Sequence, residues 1–303
     1  MRHQWADLPA EVRDLIAVRS GTVTGVTVPD AGEVAEFAAA LDTATGRVFV
    51  KAARLDSPNL WMARKEAQAA PALKGVGAAL LWQGEAGGWL VTAFEYVPGR
   101  HADLAPGSPD LPLIADALAG LADRLTPAPP LKTLSLAQRW AGSALWSEIA
   151  AAGGLTPWQA EHLGRLSALE SRVPEAVMGD TLAHTDMTGP NILVGGARVR
   201  VIDWSWPAPA AAWVDAASLV PRLIAVGHTA AQAHRWAMTV PHYAAADPVR
   251  VAALATVIAA RWRLRAIRDG GAWVGLSAAA EEWVADLLPV RAGQGVLPRG
   301  RRR

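Results

Sequence analysis

Apolar residues change their rhythm about one third of the way along the chain. Residues 8–16 place Leu8, Val12, Leu15 and Ile16 at helical spacing, with Asp7 as a candidate N-cap. Three alternating, strand-like runs follow at 22–28, 34–41 and 47–53, separated by Pro29-Asp30-Ala31-Gly32 and by Asp42-Thr43-Ala44-Thr45-Gly46. A helix over 59–70, stopped by Pro71, precedes two more strands at 78–83 and 89–95. The pattern predicts an N-terminal lobe over 1–97: a five-stranded antiparallel sheet, one inserted helix and a leading helix. Phe94-Glu95-Tyr96-Val97-Pro98-Gly99 leaves the sheet, and Pro98 and Gly99 mark a hinge. Helical spacing then dominates, at 111–125, 136–151, 157–172, 213–225, 229–238, 248–268 and 277–288. These stretches predict a mainly helical C-terminal lobe over 98–290, and 291–303 reads as a disordered basic tail. The fold class is α+β.

Composition narrows the function classes. The 303 residues include no cysteine, which excludes disulfides, thiolate zinc sites and cysteine nucleophiles, and fits a cytoplasmic protein. A net charge of +1 gives no general reason to expect nucleic-acid or membrane partners. The first residues lack the apolar core of a signal peptide, and the most apolar tract, 251–260, ends at Arg261, too short to span a bilayer.

The candidate chemistry lies inside the helical half. His184-Thr185-Asp186-Met187-Thr188-Gly189-Pro190-Asn191 reads H-x-D-x-x-x-x-N. An apolar strand, a Gly195-Gly196 turn, a second strand and Ile202-Asp203-Trp204 follow. Phosphoryl transfer needs such a layout: one carboxylate facing the attacking hydroxyl, and an amide oxygen and a second carboxylate holding metal on the phosphates. Lys51 ends an apolar strand, placed to reach a nucleotide's phosphates, and Glu66 lies on the next helix, placed to hold that lysine. Singly, each feature has an ordinary explanation: an edge lysine, a solvated helix glutamate, a structural histidine. Their common order carries the reading. His184 is expected to brace the loop.

From about 22 to 288 the chain resembles the aminoglycoside phosphotransferase family of small-molecule kinases, with I-D-W in place of the D-F-G of protein kinases. The resemblance implies a bilobal protein-kinase-like fold, Mg2+ as cofactor and ATP or GTP as phosphoryl donor. It implies that Lys51 contacts phosphate and pairs with Glu66. The Glu95 carbonyl and Val97 N–H would face the adenine edge, with Phe94 at the back of that pocket. Asp186 becomes the catalytic aspartate, and Asn191 and Asp203 the magnesium ligands. The partners are then a nucleotide and a small hydroxylated acceptor, on a monomer or homodimer. Asp215 matches a structural position, read here as a helix N-cap. Thr185 stands where the family has glycine, and a β-branched residue at positive φ predicts a slightly altered loop. The phosphate-covering turn over 26–32 has few glycines and predicts cover that is loose or that closes only when substrate binds. Trp204 is expected in the core, and Trp206 either there or on the acceptor wall.

From Trp204 onward there are six acids (Asp215, Asp247, Asp269, Glu281, Glu282 and Asp286) against twelve arginines. That balance disfavours a strongly polycationic acceptor, unless Glu281, Glu282 and Asp286 line the pocket. Arg261, Arg263, Arg265 and Arg268 are read as a solvated basic helix face. Two alternatives stand beside a possible antibiotic kinase: a nucleotide-binding pseudokinase acting as a regulatory module, and a choline- or homoserine-type metabolite kinase.

Overall fold

The computed structural model describes residues 3–29 and 35–288. Part of the turn over 26–32, the start of the second predicted strand and the basic tail lie outside the described residues. Helix α1 (Ala10–Ser20) leads into β1 (Val23–Thr27), β2 (Phe37–Thr43) and β3 (Gly46–Arg54), then α2 (Leu60–Ala69), β4 (Leu80–Ala86) and β5 (Trp89–Glu95). The five strands form one antiparallel sheet in the order β1-β2-β3-β5-β4. Alternation along β3 decides what each face does. Val48, Val50 and Ala52 enter a core with Leu8, Phe37, Leu41, Val91 and the α1 residues Val12 and Ile16. Lys51, one residue out of phase, sits opposite Thr92 and lines the cleft.

The chain then runs through β6 (Arg100–His101), α3 (Asp110–Arg124), α4 (Leu136–Arg139), α5 (Leu145–Ala151), α6 (Pro157–Glu170) and α7 (Val173–Ala176). Next come β7 (Thr181–Ala183), β8 (Ile192–Gly195), β9 (Arg198–Val201) and β10 (Ala208–Ala210). Helices α8 (Val214–Ala225), α9 (Ala230–Ala237), α10 (Pro241–Ala244), α11 (Pro248–Asp269) and α12 (Ala272–Leu287) finish the described chain. A second, larger core joins α3, α8, α11 and α12 through residues such as Leu118, Leu219, Leu254 and Trp283. Strands β8 and β9 form a hairpin, with β6 paired on the outer side of β8. The linker lies flat on this hairpin because glycine permits it. A Cβ on Gly195 would stand 2.9 Å from the Pro98 carbonyl, and one on Gly99 (φ +152°) 3.0 Å from that of Val194.

Several local expectations are corrected. Asp7 does not cap α1: its carboxylate accepts the Gln4 N–H at 2.7 Å in a preceding 3-10 turn, and the helix begins after Pro9. The predicted helix over 136–151 is two helices. Glu170 on α6 accepts hydrogen bonds from Ser143 Oγ (2.6 Å) and from the N–H groups of Leu145 (2.7 Å) and Trp146 (3.2 Å). It thereby caps α5 from outside and fixes the break. The last helix starts at Ala272 rather than 277, after a turn in which Gly270 and Gly271 both take positive φ.

Candidate active site

Two lobes meet at Lys51. Its ammonium donates to both Glu66 oxygens at 2.9 Å and to Asp203 Oδ1 at 2.9 Å. Strand β3, helix α2 and the segment after β9 are thus tied at one point. Burial alone would lower the lysine pKa, but Asp203 and then Glu66 outweigh it and hold Lys51 above its ordinary value. Burial pushes Glu66 up to about 7, against the attraction of Lys51. Asp203 behaves oppositely: burial would raise it, yet Lys51 and the Ser205 hydroxyl, 2.7 Å from Oδ1, bring it down to about 2. Asp203 also takes φ 62°, a conformation that aspartate tolerates better than most residues.

The loop carrying Asp186 is held by hydrogen bonds to its backbone. His184 is fully buried, and its Nε2 lies 2.9 Å from the Ile202 carbonyl. Its Nδ1 accepts the Asp186 N–H at 3.2 Å, so the ring hydrogen resides on Nε2. This is the bracing role expected of it. Asp215 is not an N-cap. It sits within the first turn of α8, and its carboxylate accepts the N–H groups of His184 (2.8 Å) and Thr185 (2.9 Å). Thr185 takes φ 62° despite its β-branch, strain of order 1–3 kcal/mol. The bond to Asp215 and another from Thr185 Oγ1 to the Trp206 carbonyl (2.6 Å) offset it. Asp215→Ala strips two loop N–H groups of their acceptor. It is expected to lower stability by about 2–4 kcal/mol, read by denaturant unfolding, with Asp215→Asn intermediate.

Asn191 donates its amide N–H to the Asp186 carbonyl at 2.9 Å, which fixes the side chain and leaves Oδ1 for a cation. Asp203 commits Oδ1 to Lys51 and Ser205, and Oδ2 makes no hydrogen bond among the described residues. Two oxygen donors of this kind suit Mg2+, which keeps water and substrate phosphates as its other ligands. Among the described residues no cluster of three His, Cys, Asp or Glu forms an all-protein metal cage.

All eight predicted site residues line one cleft of about 320 Å³: Lys51, Glu66, Phe94, Glu95, Val97, Asp186, Asn191 and Asp203. Phe94 and Val97 are buried. The Glu95 carboxylate is turned to Arg200 (3.0 Å) and the Ala79 N–H (3.2 Å), so only its backbone is offered to a ligand. Arg47 stacks over Tyr96 at 4.3 Å beside this strand end. Trp204 is buried as expected. Trp206 is 36% exposed, lines the cleft and meets Trp61 of α2 edge-on at 4.7 Å.

Sequence reasoning missed three residues here. Ser205 orients Asp203. Arg139 donates to the carbonyls of Trp206 (2.9 Å) and Pro207 (2.5 Å), fixing the segment after Asp203. Arg222 places Nη2 3.6 Å from Asp186 Oδ1 and stacks over Trp262 at 5.0 Å. Its signal was available: one cation inside the otherwise apolar run Leu219-Val220-Pro221-Arg222-Leu223-Ile224.

A sheet lobe and a helical lobe closing on a Lys–Glu–Asp cluster, an H-x-D loop and a shared cleft define a protein-kinase-like small-molecule phosphotransferase. The sequence profile of the phosphotransferase enzyme family (APH) matches residues 35–254, and the chain belongs to that family. Among solved structures, the chain is similar to a thermostable mutant of aminoglycoside phosphotransferase APH(4)-Ia. Identity is 14%, coverage 90% of this chain and 98% of that one, and TM-score 0.59. It is similar to choline kinase LicA from Streptococcus pneumoniae (16% identity, 91% and 98% coverage, TM-score 0.59). A putative fructosamine-3-kinase from Thermobifida fusca gives 17% identity, 90% and 98% coverage and TM-score 0.57. At these identities the likeness concerns the fold. No curated protein sequence matches the chain.

Proposed function

We propose that this phosphotransferase moves the γ-phosphoryl group of ATP or GTP to a hydroxyl of a small molecule. The observation that carries the reading is the Lys51 ammonium held at 2.9 Å from both Glu66 and Asp203, in the cleft that Asp186 and Asn191 also line. Lys51 meets the nucleotide phosphates, and Glu66 keeps it from swinging away. Asn191 and Asp203 hold Mg2+, which supplies charge neutralisation at the phosphates when bound. The Glu95 carbonyl and Val97 N–H pair with the base edge, against Phe94. Asp186 accepts a hydrogen bond from the acceptor hydroxyl and aligns its oxygen with the phosphorus, a role that needs orientation more than a strong base. Residues 1–97 serve as the nucleotide lobe and 98–290 as the acceptor lobe.

One solved structure of the related APH(4)-Ia holds ADP and hygromycin B together, which supports a shared nucleotide and small-molecule cleft. The names of the three relatives cover an aminoglycoside, choline and a fructosamine, so the fold does not hand down an acceptor. A mass-spectrometric screen tests the reading, with Mg-ATP or Mg-GTP and a mixed library of antibiotics, nucleosides and metabolites. Products 80 mass units (about one HPO3) heavier than an acceptor, absent with Asp186→Ala, are expected. Nucleotide binding without transfer to any library member would favour a regulatory module.

A further inference from the structure

On its helical side Asp186 has cationic neighbours, and their charges are unevenly satisfied. Arg139 is spent on carbonyls and on Thr133 Oγ1. Arg222 leans toward Asp186 at 3.6 Å, too long for a tight hydrogen bond, while its face rests on Trp262. Arg261 is exposed and makes no hydrogen bond or ion pair with any described residue, although Asp186, Arg139 and Arg265 are near enough to act on its charge. Burial lowers the pKa of Arg222, while Asp186 opposes the shift. The guanidinium groups of Arg222 and Arg261 thus act on one carboxylate, and Arg139 and Arg265 add positive charge beside Arg261. Such an arrangement is costly unless an anion joins it.

The acids that could have offset this wall are engaged elsewhere. Glu281 accepts from Thr156 Oγ1 (2.9 Å) and Gln159 Nε2 (2.5 Å), between α12 and α6. Glu282 accepts the Ala230 N–H at 3.2 Å, at the start of α9. Asp269 is bound by Arg265 and Arg268, Asp247 caps α11, and Asp215 holds the catalytic loop. Asp286 acts on the buried Tyr243 and is not among the residues that line the cleft. Glu281, Glu282 and Asp286 therefore do not form an acidic lining of the cleft for a polycation. The expected solvated face of α11 is also only partly right: Arg263 donates to the Gly154 carbonyl at 2.7 Å, while Arg261 is exposed next to Trp262, on which Arg222 stacks.

We propose that the acceptor carries an oxyanion, a carboxylate or a phosphate ester, which docks on Arg261 and Arg222 while its hydroxyl meets Asp186. The inference rests on the kinase reading for the role of Asp186, but not for the anion site itself. A guanidinium fork matches either oxyanion, and a second charge beside it selects against ammonium groups. Trp206 is placed to cover an apolar part of the same molecule. Docking also separates Arg222 from Asp186 in function, since the acceptor anion takes over part of the guanidinium and frees the carboxylate for the hydroxyl.

The test uses pairs with the same carbon skeleton that differ in charge, with the full chain and Mg-AMP-PNP, read by saturation-transfer NMR. Glycerate against glyceramide and gluconate against gluconamide form the carboxylate arm. Glycerol 3-phosphate against glycerol and glucose 6-phosphate against glucose form the phosphate arm, with choline and hygromycin B as cations. At least one arm is expected to bind its anion about 10- to 100-fold tighter than the neutral partner. Arg261→Ala should erase that preference and Arg261→Lys retain part of it, with affinity for Mg-AMP-PNP unchanged in both. Equal binding of anion and neutral partner in both arms, absence of binding by every anion, or a preference that survives Arg261→Ala overturns the proposal. Transfer from Mg-ATP is scored separately. Anions that bind but never receive a phosphoryl group leave the oxyanion site standing and overturn the kinase reading. Asp186-dependent transfer confined to the cations does the reverse.

Discussion

Asp203→Ala is expected to abolish productive binding of Mg-nucleotide and to lower kcat/KM by about 10³-fold or more, equivalent to about 4 kcal/mol. Asp203 combines two duties in one carboxylate: Oδ1 holds Lys51 and accepts from Ser205, and Oδ2 stays open toward a cation. Alanine removes the proposed metal ligand and one of the two anions that hold the lysine. It also places a residue with a Cβ and no polar side chain at φ 62°, at an added cost of about 1 kcal/mol. Asp203→Asn separates these effects. Asparagine tolerates the left-handed backbone and keeps an oxygen, so strain is removed while the charge is lost. Calorimetric titration of Mg-ATP should show both variants defective, with Asn retaining the better folding stability. An Asn variant that bound Mg-nucleotide as tightly as the parent would move the metal away from Asp203.

Asp186→Ala is expected to leave nucleotide affinity nearly intact and reduce kcat by about 10²- to 10⁴-fold. The reason is geometric. The Asp186 side chain makes no hydrogen bond or ion pair with Lys51, and the link from this residue to Asn191 runs through its backbone carbonyl, which alanine keeps. The loop itself is held by His184 and Asp215 rather than by the Asp186 carboxylate. Arg222 loses an ionic neighbour but remains stacked on Trp262, so the fold should persist. Loss of nucleotide binding equal to that of Asp203→Ala would refute this division of labour.

Much of the candidate site was legible because its pieces are contiguous or sit on strongly periodic elements. The alternation of β3 alone puts Lys51 on the face opposite Val50, and the H-x-D-x-x-x-x-N loop and its hairpin occupy a single short stretch. Asn191 and Asp203 are brought together by a hairpin whose Ile192–Val201 pairing follows from two apolar runs around a glycine turn. What sequence reading missed depends on distant partners. Asp215 looked like a cap because it stands at a helix start, yet its acceptors face a loop some 30 positions earlier. Gly142 (φ 74°) marks the break within 136–151, but nothing local reveals that Glu170 caps the second helix. Strands β6, β7 and β10 span two or three residues, too few for any period to show. The acceptor wall was read as a count of charges. The structure shows that Glu281 and Glu282 are already occupied, a fact of tertiary placement that a count cannot carry.

The most direct test of the central claim is a labelled single-turnover transfer. The protein is loaded with Mg2+ and ATP carrying an isotopic label in the γ-phosphoryl group, and GTP in parallel, and offered the acceptor found by screening. Nucleotide affinity is measured on the same samples for the parent and Asp186→Ala. The prediction is label on an acceptor hydroxyl with the parent, none with the variant, and matched affinities. Label transferred equally by both proteins would contradict the role given to Asp186, and tight Mg-nucleotide binding by the parent with no label on any acceptor would contradict the kinase itself.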